Sequence, residues 1–313
     1  MVVSCEEELD AGAESKFLSI PIESYVKGGS SKIEKYWTSY TIAKNDIGSK
    51  EKSLEYMQTI NALYPFYFNY CDLYGDHSGE TVLDYGCGPG NDLAGYFAHS
   101  SAKQIIGVDI SIKALEQARE RLLLHGASAK DVRLFKISDN SVSIPLDDNS
   151  VDYIQSLGVI HHASDPNAII KEIYRVLKPG SKFRAMVYHK HSLYVNLTIP
   201  YEVQIINGQY QGLDNLQAFA QIADSGAPKA LLYTRESFAD LAKGCGFNLT
   251  NYNVGFSITE LCEWRNRSIK ALQVPKFPEE CKTFLCKLEE DKKGLPIYNG
   301  KYAGMNAIFE FTK

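Results

Sequence analysis

Long apolar runs are missing from this 313-residue chain. Its first twenty residues carry Glu6, Glu7, Glu8, Asp10 and Glu14, with neither a cationic start nor an apolar stretch, which argues against a signal peptide. No later segment has the length and apolarity that a bilayer demands. Basic runs are missing too: Lys plus Arg number 33 against 38 Asp plus Glu, a net charge of −5, so the broad positive footprint of a nucleic-acid binder is excluded. The seven cysteines, at 5, 71, 87, 245, 262, 281 and 286, are odd in number and lack paired metal-ligand spacing. Neither a zinc site nor a disulfide framework is expected, and a reduced, cytoplasmic setting is. Internal repeats and low-complexity tracts are absent as well. What remains is a mildly acidic chain whose 44% hydrophobic residues suffice for a sizeable core. Its expected partner is a small molecule rather than a nucleic acid or a membrane, and nothing in the composition sets an oligomeric state.

What is present is concentrated between Thr81 and Asn91, Thr-Val-Leu-Asp-Tyr-Gly-Cys-Gly-Pro-Gly-Asn. It reads as a buried strand that breaks into a glycine turn and reopens as a helix. Gly86, Gly88 and Gly90 remove side chains that would keep a ligand from the backbone, and a helix starting near Asn91 aims free N–H groups at it. The dinucleotide fingerprint Gly-x-Gly-x-x-Gly would place a third glycine at position 91, where the chain has Asn91, so a nicotinamide-dependent oxidoreductase fits poorly. Asp109 follows Asp84 by 25 residues and ends a second strand, Gln104 to Asp109, where a carboxylate can accept hydrogen bonds from ribose hydroxyls.

The acid-x-Gly-x-Gly-x-Gly turn, Asp109, Pro-Leu-Asp-Asp-Asn-Ser-Val-Asp, Gly-Val-Ile-His-His and Glu-Ile-Tyr-Arg-Val-Leu-Lys-Pro-Gly follow one another between Tyr74 and Tyr188. In that order they resemble the class I S-adenosylmethionine-dependent methyltransferases, in particular the ubiquinone and menaquinone biosynthesis group. The resemblance implies S-adenosyl-L-methionine as cofactor, held by Asp84, Gly86, Cys87, Gly88, Asn91, Asp109, Ile110 and Leu157. Asp139 or Asn140 would meet the adenine: counting back from Ile144-Pro145-Leu146 puts the family's usual acid at Asn140 and leaves Asp139 one residue early. Tyr36 and Trp37 would fold over the cofactor from an N-terminal segment, Ile33 to Asn45.

At the carboxyl end of the fourth strand, His161 and His162 are candidates for the reacting centre, His162 as a base or an orienting group. Tyr188 and His189, in a segment similar to the Tyr-His/Asn-Arg-x-Ser of a methyltransferase subgroup, would face the same crevice. Glu202, Asp214, Asp224 and Arg235 are possible substrate contacts that read first as loop charges. The implied reaction is methyl transfer to an oxygen or nitrogen of a small-molecule metabolite; a cofactor-binding protein without catalysis is the alternative from another class.

The pattern predicts a Rossmann-like, doubly wound α/β fold with a mostly parallel seven-stranded sheet. Residues 1–74 would form an N-terminal segment and helical lid, loose from Met1 to about Ser31 with a hinge at Gly28-Gly29-Ser30-Ser31. The cofactor-binding core would occupy 75–190 and 234–255, with a last strand in 303–313. Periodicity lapses over 191–233 and 256–302, two insertions expected to form a cap over the carboxyl ends of the strands.

Overall fold

The computed structural model describes residues 19–26, 29–40, 47–140 and 142–313; the acidic start 1–18, part of the expected hinge and the end of the aromatic segment, 41–46, lie outside them. The main sheet is built from β1 (Ile22–Tyr25), β2 (Thr81–Tyr85), β3 (Gln104–Asp109), β4 (Val132–Ile137), β5 (Val151–Leu157), β6 (Leu177–Tyr188), β7 (Asn248–Gly255) and β11 (Asn306–Thr312). Their order is β1-β4-β3-β2-β5-β6-β11-β7, and β11 alone in this sheet runs against its neighbours. The expected seven strands are all present, and β1 adds an eighth at the edge, parallel to β4. It falls in the segment read as loose, because four residues at an edge leave too little alternation to recognise.

Local chemistry accounts for the helices around it. Among them, α2 (Lys50–Leu63) is capped by Ser49, α5 (Ile112–Leu124) by Ser111 and α9 (Arg235–Gly244) by Thr234. In α6 (Pro166–Val176), Asp165 accepts from the Ala168 N–H and Pro166 occupies the first turn, where its missing N–H costs nothing. Ile169, Ile170, Ile173 and Val176 of α6 are buried against the sheet, each contributing roughly 1.5–3 kcal/mol. On the opposite face α4 (Asn91–His99) and α5 bury Leu93, Tyr96, Leu115 and Leu122. The chain winds outward from β2 through β3 to β4, then returns to β5 and β6 on the other side. The crevice therefore opens beyond the carboxyl ends of β2 and β5, where the winding reverses.

The insertions are helical. Tyr194–Ile206, here α7, is wound with i→i+5 hydrogen bonds around an internal Pro200, as in the bond from the Asn207 N–H to the Glu202 carbonyl, 3.0 Å. Leu193, Leu197 and Tyr201 pack with Trp264 and Phe277 on one side, while Val195 and Ile199 pack with Phe219 on the other. The partners lie on α8 (Asn215–Ile222), on α10 (Ile258–Leu272) and, for Phe277, in the connection after α10, with α11 (Glu279–Cys286) and a small antiparallel sheet of β8 (Glu289–Glu290), β9 (Pro296–Tyr298) and β10 (Lys301–Tyr302) completing this layer. No helix among the described residues is long and apolar enough to cross a membrane.

Candidate active site

Gly86, Gly88 and Gly90 turn the chain from β2 into α4 with φ of 81°, 52° and 77°, left-handed values that favour glycine. A Cβ on Gly86 would stand 2.3 Å from Val159 and one on Gly90 2.7 Å from Ala118, whereas one on Gly88 would meet nothing within 4 Å. Two of the glycines thus let elements pack, and the middle one opens on the crevice. Asp109 ties this turn down: Oδ2 accepts from the Gly88 N–H (2.8 Å) and Oδ1 from the Ser111 N–H (2.7 Å). Each oxygen keeps a lone pair for a ligand hydroxyl.

The crevice is a cavity of about 430 Å³, within the usual range for small-molecule sites. Trp37, Asp84, Gly86, Cys87, Gly88, Asn91, Asp109, Ile110, Asp139, Leu157, His162 and Tyr188 all line it. So do Asp92, Tyr64, Tyr74 and Asp224, whose places sequence pattern left open. Burial pushes the Asp84 carboxyl well above its ordinary range, and the neighbouring charge of Asp92 adds to this while Gln155 opposes it. Asp92 is raised by burial too, although Tyr74 Oη (2.7 Å) and Gln155 Nε2 (3.2 Å) donate to it. Burial likewise raises Asp109, opposed by the Ser111 and Gly88 N–H groups and by Lys136. Three desolvated carboxyls on one wall favour a ligand that brings positive charge and hydroxyl donors.

Of the two adenine candidates, Asp139 lines the cavity while accepting from Ser31 Oγ (2.8 Å) and Ser164 Oγ. Asn140 is exposed, outside the cavity, with Nδ2 donating to the Gly29 carbonyl at 2.9 Å. The helix α1 (Lys32–Ser39) covers this side, anchored by the buried pair of Glu34 and Lys136 Nζ at 2.8 Å. Tyr36 itself does not line the cavity. Its hydroxyl donates to the Asp224 carbonyl, and its ring stands edge-on to Trp37, 5.1 Å between centroids.

The histidine pair divides. His162 is buried at the cavity wall, with Nδ1 2.7 Å from the Lys229 carbonyl and Nε2 2.9 Å from Asp224 Oδ2. The Nδ1 contact is a hydrogen bond to the Lys229 carbonyl, while Nε2 lies close to the Asp224 carboxylate outside hydrogen-bond geometry. Trp37 lies edge-on to this ring, with centroids 5.0 Å apart. Asp224 also accepts from Tyr188 Oη at 2.7 Å. Burial alone would raise the Asp224 carboxyl, but the bonds and charge of His162 and the Tyr188 hydroxyl hold it below its ordinary range.

His161 has no hydrogen-bond partner on either nitrogen, and burial drives its pKa well down. It stacks on Tyr188 at 3.8 Å, away from the cavity lining, because adjacent residues of the short turn Ile160–His162 point to different sides. His189 is likewise turned away from Tyr188 by the alternation of an extended chain. It is buried between the Gly304 carbonyl (3.2 Å) and Tyr252 Oη (3.4 Å), outside the cavity, with its pKa lowered to about 4 by burial and then by His191.

Asp224 comes from the first insertion, at a left-handed φ of 46°. It is held there because the following segment is stitched to the histidine turn: Leu231 N–H donates to the His161 carbonyl (2.9 Å) and Lys229 Nζ to the Ser164 carbonyl (2.8 Å). No sequence signal singles it out among the loop acids. Asp92 carried the faint signal of an acid in the first turn of a helix, which ordinarily reads as complementing the helix dipole.

Residues 76–215 match a sequence family described as a methyltransferase domain. The chain is 31% identical over 157 residues to 24-methylenesterol C-methyltransferase 2 of Arabidopsis thaliana, covering 49% of this chain and 42% of the relative. It is 28% identical over 153 residues to the ubiquinone biosynthesis O-methyltransferase of Neisseria meningitidis, covering 49% and 62%. This chain therefore spans less than two thirds of the length of either relative. A Listeria monocytogenes structure, provisionally assigned as an S-adenosylmethionine-dependent methyltransferase, shares the fold at a TM-score of 0.51 and 15% identity, covering 79% of this chain and 97% of that one. Over residues 76–215 the chain is therefore similar to a methyltransferase domain, and the S-adenosylmethionine-dependent methyltransferases are the family that this core resembles. The cofactor of that family is S-adenosyl-L-methionine, and the residues present suit it: an open glycine at the turn, a carboxylate placed for ribose and two buried carboxylates awaiting positive charge.

Proposed function

We propose that this protein methylates an oxygen or nitrogen of a small-molecule acceptor, and that the His162–Asp224 pair takes the proton the acceptor gives up. S-adenosyl-L-methionine would supply the methyl group on a sulfonium, already a good leaving group, so the chain's own work is alignment, exclusion of water and proton removal. Asp109 would hold the ribose, Asp139 the adenine edge, and Asp84 with Asp92 the cationic end. Trp37 and Tyr74 offer ring faces or edges to the same space and exclude water from it.

The observation that carries the reading is the 2.9 Å contact of His162 Nε2 with Asp224 Oδ2 at the cavity wall. An acceptor hydroxyl or amine arriving beside Asp224 would hydrogen-bond to the carboxylate and pass its proton to His162 Nε2, whose Nδ1–H stays on the Lys229 carbonyl and whose new charge Asp224 would stabilise, leaving the acceptor's lone pair free to attack. A positioned acid–base pair of this kind contributes typically 10²–10⁴-fold. The relatives' names cover both carbon and oxygen methylation, so the choice of oxygen or nitrogen rests on this pair.

Calorimetry with S-adenosylhomocysteine tests the cofactor half: micromolar affinity, about −8 kcal/mol, is expected, with no binding of NAD. Tight NAD binding without any response to S-adenosylhomocysteine would sink the reading. Mass spectrometry of a metabolite extract incubated with enzyme and S-adenosylmethionine would identify the acceptor as the compound that gains a methyl group.

A further inference from the structure

A second cavity, also about 430 Å³, lies between the cap and the sheet, and Tyr64, Tyr188, Asp224 and Asn306 line both it and the first. The two are neighbouring lobes that meet at the proton-accepting pair. The second lobe is built by both insertions, and its charges are lopsided: among the described residues Glu202, Glu260, Glu263 and Asp224 face a single cation, Arg267. Arg267 is already engaged, with Nε 2.5 Å from Glu263 and a guanidinium nitrogen against Glu202.

Glu260 differs from the other three. It is only 4% exposed, Oε2 accepts from the Ser257 N–H (2.8 Å) and hydroxyl (3.3 Å), and Oε1 has no hydrogen-bond partner. The N–H groups of Met305 and Tyr194 favour its ionised form without reaching Oε1 in hydrogen-bonding geometry. A buried carboxylate oxygen without a donor is costly unless something supplies one. Tyr64, Tyr188, Tyr194 and Phe219 surround the same space, and aromatic rings attract organic cations.

We infer that the second cavity receives the body of the methyl acceptor, and that the acceptor is an organic amine whose ammonium group binds opposite Glu260 while its reacting atom lies at the His162–Asp224 junction. This rests on the methyl-transfer reading of the first cavity. Carboxylate- or phosphate-bearing acceptors are disfavoured by the same charges. Arg267 would act as an internal counter-ion that keeps Glu202 and Glu263 out of competition with Glu260.

The test uses three probes of similar shape and different charge, phenethylamine, phenethyl alcohol and phenylacetate, titrated into the full chain saturated with S-adenosylhomocysteine. The amine should bind at least about tenfold more tightly than the alcohol, a difference of about 1.4 kcal/mol, and phenylacetate should not bind. Glu260→Gln should erase that preference and leave S-adenosylhomocysteine affinity unchanged. Gln at this helix position still completes the capping arrangement with Ser257, so the variant should fold. Arg267→Gln should shift the preference the other way, strengthening amine binding by freeing two carboxylates. An amine preference intact in Glu260→Gln, equal binding of alcohol and amine, or no amine binding at millimolar concentration would overturn the inference. Failure of S-adenosylhomocysteine to bind, with the amine preference present, would instead overturn the methyl-transfer reading alone.

Discussion

The carboxyl edge of the sheet and the cap above it solve one problem by different means. On the sheet edge, each candidate group sits on backbone that the fold fixes anyway: Asp84 is the last but one residue of its strand and Asp109 the last of its own, and Gly88 lies in a turn whose neighbours leave no room for a Cβ at Gly86 or Gly90. In the cap, the functional group is placed by contacts from far along the chain. Asp224 is set by Tyr36, His162 and Tyr188, which lie 188, 62 and 36 residues away and belong to three separate elements. On the proposed reading, the sheet edge would hold a constant cofactor, while the cap could vary its acceptor without disturbing the turn.

The sharpest way to break this contrast is Asp224→Asn. Turnover should fall by about 10²–10⁴-fold with S-adenosylhomocysteine affinity nearly intact, and His162→Ala added to it should cost little more, because the two residues act as one unit. Losses that multiply in the double variant would mean that the residues act independently; a loss of cofactor binding would move Asp224 to the cofactor half. Next in size is Asp109→Ala, which removes charge-assisted bonds on the sheet side and should weaken S-adenosylhomocysteine by roughly 1.5–3 kcal/mol in calorimetry. Unchanged affinity in a folded variant would reduce Asp109 to a brace for the glycine turn. Trp37→Ala should weaken the cofactor by about 0.5–2 kcal/mol, the range for an aromatic face near a cation. A larger loss accompanied by lower helicity would instead assign Trp37 to holding α1 in place.

The smallest effect is on pH dependence, and here two cap carboxyls have opposite signs. Asp224 has a folded-state pKa below its ordinary value, so it stabilises the fold above the ordinary carboxylate range and that contribution is lost as pH falls through its lowered pKa. Glu260 is raised to about 7 by burial, so its contribution is full below its ordinary pKa and is lost as pH rises towards about 7. In thermal melts, Glu260→Gln should gain on the parent protein near pH 8 and lose that gain near pH 5. Asp224→Asn should trail the parent at neutral pH and close the gap on acidification. Parallel curves for parent and variants would show that neither group titrates with folding.

Legibility follows the same division. Strand ends, the glycine turn, the caps at Ser49, Ser111, Asp165 and Thr234 and the inward stripe of α6 are local signals, so they could be read in order. The helix α7 could not. Apart from Pro200, its buried residues Val195, Leu197, Ile199 and Tyr201 alternate as in a strand, because they are two interleaved i, i+4 stripes facing opposite clusters of the cap. The histidines show the same limit at single-residue scale. Their position at the end of β5 was readable, but which of two neighbours reaches the cavity depends on a turn of three residues. Tyr188 and His189 part for a similar reason, and only the first meets Asp224.

The bonds from α1 to the 223–225 turn set an order of events. Tyr36 holds the Asp224 carbonyl and Tyr40 Oη lies 3.0 Å from Ser225 Oγ, so the helix over the first cavity also fastens the turn that carries Asp224, half of the proton-accepting pair in the proposed reaction. Swinging α1 away to exchange ligands would unfasten Asp224 as well. On the proposed reading, an open molecule would load and unload without a seated Asp224, and a closed one would have Asp224 seated but no exit. Turnover would then be a clock with two alternating positions, its rate bounded by how often that fastening breaks and re-forms, on the microsecond-to-millisecond scale of such closures.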